Sequence, residues 1–235
     1  MMSTAAVIPV FNEGGRMDEV LAATAECGLL DDIFVVNDGS SDATAAQLES
    51  LGDRFTVLHH GTNIGKGGAL NTGVTHAVEA GHSRAVFLDG DLRGVTAEHV
   101  AQLLEPLDNG SYMSIGYLGL RKAVVKKAIL NNWGALSGQR AIDVEVWGLL
   151  SPQDKHRFNV EAALNARLRK AGLHHTISRV ALEGVGHVGK RDKEGNWPKA
   201  VWGYTKTYSS AFLTYTRIEA ESLQASLPFQ KATLR

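Results

Sequence analysis

The chain has 235 residues, 44% apolar and 21% charged, with a formal net charge of −1. That balance excludes general disorder, and the near-neutral charge gives no global footing for nucleic-acid binding. The single cysteine, Cys27, excludes an intrachain disulfide framework and a cysteine-cluster zinc site, and the apolar run Ala5 to Phe11 is far short of a bilayer span. The expectation is a soluble, cytoplasmic protein.

Thr4 to Val10 is a short apolar run with β-branched residues and reads as a buried strand. Asp18 to Cys27 has helical spacing. Asp32 to Asn37 is a second strand, and Ser41 to Leu51 a helix opened by serine and aspartate. Phe55 to His59, Gly67 to Ala80, Arg84 to Leu88 and Thr96 to Leu107 continue the alternation as strand, helix, strand and helix, with Thr96 as N-cap. This spacing predicts an α/β domain with a parallel sheet and helices on both faces, whose ligands bind beyond the carboxyl ends of the strands. The second half is less regular. Ser111 to Gly116 reads as a fifth strand, Phe158 to Lys170 as a helix ended by Gly172, and Thr176 to Val180 and Val185 to Val188 as short strands. Residues 189–198 read as a mobile loop, and Ala200 to Leu223 as a helix before a frayed tail.

The loops after the strands hold the residue types that carry chemistry. Asp89 and Asp91, in FLDGDLRG, are two carboxylates at i and i+2 after a strong strand. They suit one hard divalent cation, although an ordinary Asp-Gly-Asp turn has the same sequence. Asp38, in VVNDGSSD, can accept from a base or ribose, or can serve a turn that caps the next helix. Lys66 stands among glycines in GTNIGKGGALN, a setting for a phosphate as well as for a solvated lysine. The spacing from Gly61 to Gly65 and the glycine after Lys66 exclude a P-loop. A dinucleotide fingerprint belongs in the first strand–helix turn, where this chain reads PVFNEGGR.

Together, VIPVFNE, VVNDGSSD, NIGKGGALNTG and FLDGDL stand in an order that resembles family-two glycosyltransferases, which share the GT-A fold. The resemblance is strong over residues 4–117 and fades towards residue 195. It implies that Pro9, Phe11, Glu13, Asp38 and Lys66 line a nucleotide-sugar. It also implies that Asp89 and Asp91 hold Mg2+ or Mn2+ on the diphosphate, with Asp91 counted among the catalytic residues. The second half resembles the polyprenyl/dolichol-phosphate glycosyltransferase branch. LSGQRA matches a Ser-Gly-x-Arg motif in which Arg140 would meet an acceptor phosphate, and Phe158 and Glu161 match a glutamate-bearing helix. GHVGKRDKEG places Lys190 and Arg191 where the branch carries a basic loop over the diphosphate. Arg93 stands where the branch has a glutamine, and His187 is the expected replacement ligand for the metal.

These readings converge on a metal-dependent inverting hexosyltransferase. Its donor would be UDP- or GDP-linked and its acceptor a lipid phosphate or a small polar molecule. A nucleotidyltransferase and a non-catalytic sugar-nucleotide-binding protein are the alternatives. If the acceptor is a hydroxyl, Asp143, Glu145 and Glu161 are the candidate bases. The expected division is a GT-A domain over 1–199, with donor half 1–117 and acceptor half 118–199, followed by a C-terminal helix and tail over 200–235. On that helix Val201, Tyr204, Tyr208, Phe212, Tyr215 and Ile218 form an aromatic stripe beside a basic stretch. The stripe suits the inner face of a membrane, a second copy of the chain, or the chain's own core.

Overall fold

The computed structural model describes residues 2–118, 136–155, 160–187 and 197–221. Strand β1 (Thr4–Val10) lies between two parallel partners, β2 (Asp32–Asn37) and β4 (Arg84–Phe87), and β3 (Thr56–His59) adds parallel to β2. Helices cover both faces, which is why β1 is apolar from Ala5 to Val10 instead of alternating. Ala6, Ile8 and Val10 enter one core layer with Val20 and Leu21 of α1 (Asp18–Glu26), Leu48 of α2 (Thr44–Glu49) and Leu103 and Leu107 of α4 (Ala97–Asp108). Val7 enters the opposite layer with Leu70 and Val74 of α3 (Lys66–Glu79), Leu164 and Leu168 of α5 (Val160–Lys170) and Ile218 of α6 (Trp197–Ala220). Each fully buried side chain of this size stabilises the fold by roughly 1.5–3 kcal/mol. Helix α3 lies so close to β1 that a Cβ on Gly73 would stand 2.2 Å from Val7 Cγ1.

The four strands of the first half are parallel, as expected, and the second half makes the full sheet mixed. Its order is β3-β2-β1-β4, then β7 (Arg140–Asp143), β6 (Met113–Leu118) and β8 (Ile177–Leu182). Strand β7 runs antiparallel between β4 and β6, and β8 runs parallel to β6 at the edge. β7 is four residues long, begins with an arginine, is buried at every position and leads straight into a 3-10 turn at Val144–Leu149. No periodicity develops in so short a segment. A separate two-residue ribbon pairs β5 (Leu92–Arg93) with β9 (Gly186–His187).

The C-terminal helix α6 starts at Trp197 and its end is integrated into the core. Ile218 is fully buried and Tyr215 packs beside it, while Phe212 and Leu213 face outward at 46% and 65% exposure. Part of the aromatic stripe is therefore core. Its members Val201, Tyr204 and Tyr208 lie where no side chain is described. Asp154, fully buried, holds Arg167 of α5 and Arg217 of α6, and Lys170 Nζ donates to Ile218 O at 2.7 Å. Among the described residues no helix is long and apolar enough to cross a membrane.

From β1 the chain passes to β2 on one side, while β4 lies on the other. The carboxyl ends of these strands therefore open a crevice at a switch point.

Candidate active site

The loops after β1 and β2 are stitched together by hydrogen bonds. Asn12, at φ 54°, receives Ser41 N on Oδ1 at 2.8 Å, and its own N–H donates to Ser40 Oγ at 3.0 Å. Glu13 N donates to Thr44 Oγ1 at 2.9 Å, and the Glu13 carboxylate pairs with Arg16 Nε at 2.7 Å. Asp42 Oδ1 accepts from Thr44 N at 2.9 Å, so the Ser/Asp segment is spent before α2 begins. Pro9 sits beyond the last β1–β4 pair, Val7 opposite Phe87, so β4 asks no ladder bond of it. Phe11 stands on the rim at 44% exposure.

Asp38 is 2% exposed, and its described contacts are internal. Oδ1 accepts from Ile64 N at 2.9 Å and pairs with His60 Nδ1 at 2.8 Å, while Oδ2 accepts from Gly65 N at 2.8 Å. His60 in turn reaches Thr72 Oγ1 at 2.9 Å through Nε2. The carboxylate thus holds the loop that leads into α3. Gly65, at φ 92°, makes the turn that a side chain would strain.

Lys66, the first residue of α3, points into the crevice. Its Nζ lies 2.5 Å from Asp89 Oδ1 and 2.7 Å from Glu161 Oε1, the latter in the first turn of α5. Burial alone would lower the Lys66 amine, but Asp89 and Glu161 hold it above the ordinary lysine range. Burial alone would likewise raise the Asp89 carboxyl, yet Lys66 and then His187 hold it below the ordinary aspartate range. Gly138 closes this cluster from below. A Cβ there would fall 2.3 Å from Lys66 Nζ and 2.5 Å from Asp89 Oδ2. Gln139, fully buried, donates from Nε2 to Asp89 Oδ2 at 2.9 Å.

His187 arrives through the small ribbon. The register sets it opposite Leu92, next in sequence to Asp91. Its Nδ1 lies 3.2 Å from Asp91 Oδ1, and its Nε2 lies 3.9 Å from Asp89 Oδ2. The hydrogen bond to Asp91 raises its pKa, with the Asp89 charge acting the same way against burial. Asp89, Asp91 and His187 each offer a ligand atom within 4.8 Å of the others. Two carboxylate oxygens and one imidazole nitrogen, with local negative charge in excess of Lys66, fit Mn2+ or Mg2+.

Other expected residues are placed differently. Arg140 is fully buried, with Nε on Ser137 O at 2.8 Å and Nη1 on Asn165 Oδ1 at 2.8 Å. An acceptor phosphate at Arg140 thus finds no support in this geometry. Asp143 pairs in register with Arg84, at the amino end of β4 and away from Asp89, and exposed Glu145 follows it. The far-end placement removes both as candidate bases. Arg93 turns to α1, with Nη1 on Glu19 Oε1 at 3.0 Å. Phe158, Lys190 and Arg191 lie outside the described residues. Sequence reasoning missed Gln139 and Gly138. Both stand inside LSGQRA, but nothing local marks a contact fifty residues away in the chain.

Residues 5–144 match the model of Glycosyl transferase family 2. The chain belongs to this family. Among family relatives, it is 30% identical over 117 residues, 48% of its length, to polyprenol monophosphomannose synthase from Mycolicibacterium smegmatis. It is 33% identical over 112 residues, 44% of its length, to undecaprenyl-phosphate 4-deoxy-4-formamido-L-arabinose transferase from Enterobacter sp. (strain 638). It spans 44% and 33% of the lengths of these two relatives. Its fold is similar to that of glucosyl-3-phosphoglycerate synthase from Mycobacterium tuberculosis, solved with Mn2+, UDP-glucose and phosphoglyceric acid. The TM-score is 0.72 at 22% identity, covering 94% of this chain and 81% of that one. The GT-A architecture expected from the motifs is therefore the observed one.

Proposed function

We propose that this protein is a divalent-metal-dependent inverting glycosyltransferase. It would move a hexosyl group from a UDP- or GDP-linked donor to a lipid phosphate or a small polar acceptor. The observation that carries this reading is the convergence of Asp89, Asp91 and His187 beyond β4 in a chain of family 2. The synthase complexes with Mn2+ and UDP-glucose, and with Mg2+ and UDP, support the cofactor and a nucleotide-sugar donor. The undecaprenyl-phosphate transferase supports a lipid-phosphate acceptor, and the synthase's phosphoglyceric acid supports a small one.

Asp89, Asp91 and His187 would hold the cation, which supplies positive charge against the leaving diphosphate. Lys66 adds a fixed ammonium beside it, and the family resemblance assigns Lys190 and Arg191 to the same diphosphate charge. Pro9, Phe11 and Glu13 frame the nucleoside side of the crevice. Asp38 supports that side by holding the Ile64–Gly65 loop. A phosphate acceptor is already anionic and needs no base. Glu161 then serves to hold Lys66, and with a hydroxyl acceptor it is the one of the three base candidates standing at the site.

We assign residues 1–199 to catalysis and residues 200–235, which include most of α6, to attachment. Exposed Phe212 and Leu213 support peripheral contact with the inner face of a membrane or with a second copy, testable by flotation on anionic vesicles. The function itself is tested with a panel of UDP- and GDP-sugars plus Mn2+, with and without chelator. The expected result is chelator-sensitive release of nucleoside diphosphate. Pyrophosphate chemistry would instead indicate nucleotidyl transfer, and binding without turnover a non-catalytic protein.

A further inference from the structure

We infer that the Ser137–Gly138–Gln139 turn is a positioning device for Asp89, anchored from behind by Arg140. This rests on the reading of Asp89, Asp91 and His187 as a cation site. An aspartate carboxylate left to itself rotates about a broad, roughly two-fold torsion. Here each of its oxygens is claimed by a donor from a different element. Lys66 of α3 takes Oδ1 at 2.5 Å, and Gln139 takes Oδ2 at 2.9 Å. Two donors at fixed points define the carboxylate plane, with Oδ2 3.9 Å from His187 Nε2.

The Gln139 amide is itself oriented. Ser137 Oγ donates to Gln139 Oε1 at 2.8 Å and accepts from Gln139 N at 3.3 Å. With its oxygen satisfied by that hydroxyl, the amide turns its nitrogen to Asp89. Gly138 lets the backbone approach within a distance that any Cβ would forbid. Behind the turn, Arg140 Nε holds Ser137 O at 2.8 Å, and Nη1 reaches Asn165 Oδ1 on α5 at 2.8 Å and Met113 Sδ on β6 at 3.3 Å. The guanidinium thereby ties the turn to two elements of the core. Gln139 and Arg140 are positioning residues, one acting through the Asp89 carboxylate and the other through the Ser137 carbonyl. Partners of this kind commonly change metal affinity by roughly 10–100-fold when removed.

The test measures Mn2+ affinity alone, by electron paramagnetic resonance of free Mn2+, on the full chain without donor or acceptor. Gln139→Ala should weaken Mn2+ binding by about tenfold or more. Ser137→Ala should weaken it in the same direction by less, and Ser137→Thr, which keeps the hydroxyl, should restore it. Thermal unfolding checks each variant. Ser137 is only half-buried, so the Ala/Thr pair carries the test if Gln139→Ala does not fold. Asp91→Asn runs alongside. If it binds Mn2+ like the wild type, the cation site itself falls. If it loses Mn2+ while Ser137→Ala binds normally, or if Ser137→Thr fails to reverse a loss, only the positioning role falls.

Discussion

Lys66→Met keeps the length of the side chain and removes its charge from between Asp89 and Glu161. The side chains of these three residues are 16%, 19% and 10% exposed, so the pairs belong with buried ion pairs and not with surface ones. Breaking a buried pair by removing one partner costs about 3–5 kcal/mol. The Asp89 carboxylate can relieve part of this by binding a proton, which sets the expectation at about 3 kcal/mol. For a chain of this size that is a fall in Tm of roughly 6–12 °C. The pH dependence separates this from a packing defect. In the wild type the raised Lys66 amine contributes stability below its ordinary 10.5, lost only as pH rises through its still higher folded value. The lowered Asp89 carboxyl contributes above its ordinary 3.8, and that is lost as pH falls through its folded value. Lys66 and Asp89 therefore contribute evenly between pH 8 and 5, while the raised His187 imidazole adds stability as pH falls through its folded value in wild type and variant alike. In the variant Asp89 keeps the burial that raises its carboxyl and loses the amine that lowered it, so its protonation is favoured and stability rises as pH falls. Thermal melts in chelator across that range make the measurement. Adding Mn2+ at a hundred times its Kd should return about 2.7 kcal/mol. Equal Tm values at pH 7, or a gap that does not narrow with acid, would refute the reasoning.

Asp91→Asn should leave the fold intact and raise the barrier to metal-dependent turnover by about 2–4 kcal/mol, read as kcat at fixed Mn2+. Gly138→Ala should destabilise by about 1–3 kcal/mol and weaken Mn2+ binding. Its Cβ would press on Lys66 Nζ and the Asp89 carboxylate, and unchanged melting and titration would contradict that contact. Asp154→Asn should cost about 3 kcal/mol at pH 7, because Arg167 and Arg217 are left without their buried carboxylate. Burial alone would raise the Asp154 carboxyl, but Arg217 and its other donors hold it below 3.8. Its contribution is lost as pH falls through the folded value, so the gap between the two proteins should begin to close only below about pH 4 and vanish beneath that lower folded value.

The donor half was legible because its information is local. Strands buried on both faces read as short apolar runs, and the intervening helices carry their own periodicity, so β1 to β4 and α1 to α4 emerge from the sequence with small shifts at the ends. Asp89 and Asp91 could be picked out because they follow such a strand directly. Tertiary structure alone decided what lies across the sheet. β7 carries no period, and only its pairing with β4 and β6 brings Gln139 to Asp89 and buries Arg140. His187 was expected through resemblance, but its place beside Asp91 is fixed by a two-residue ribbon between β5 and β9. The fate of Asp38 likewise depended on how the loop before α3 folds back, since a carboxylate that looks available in sequence satisfies the nearest buried backbone donors first.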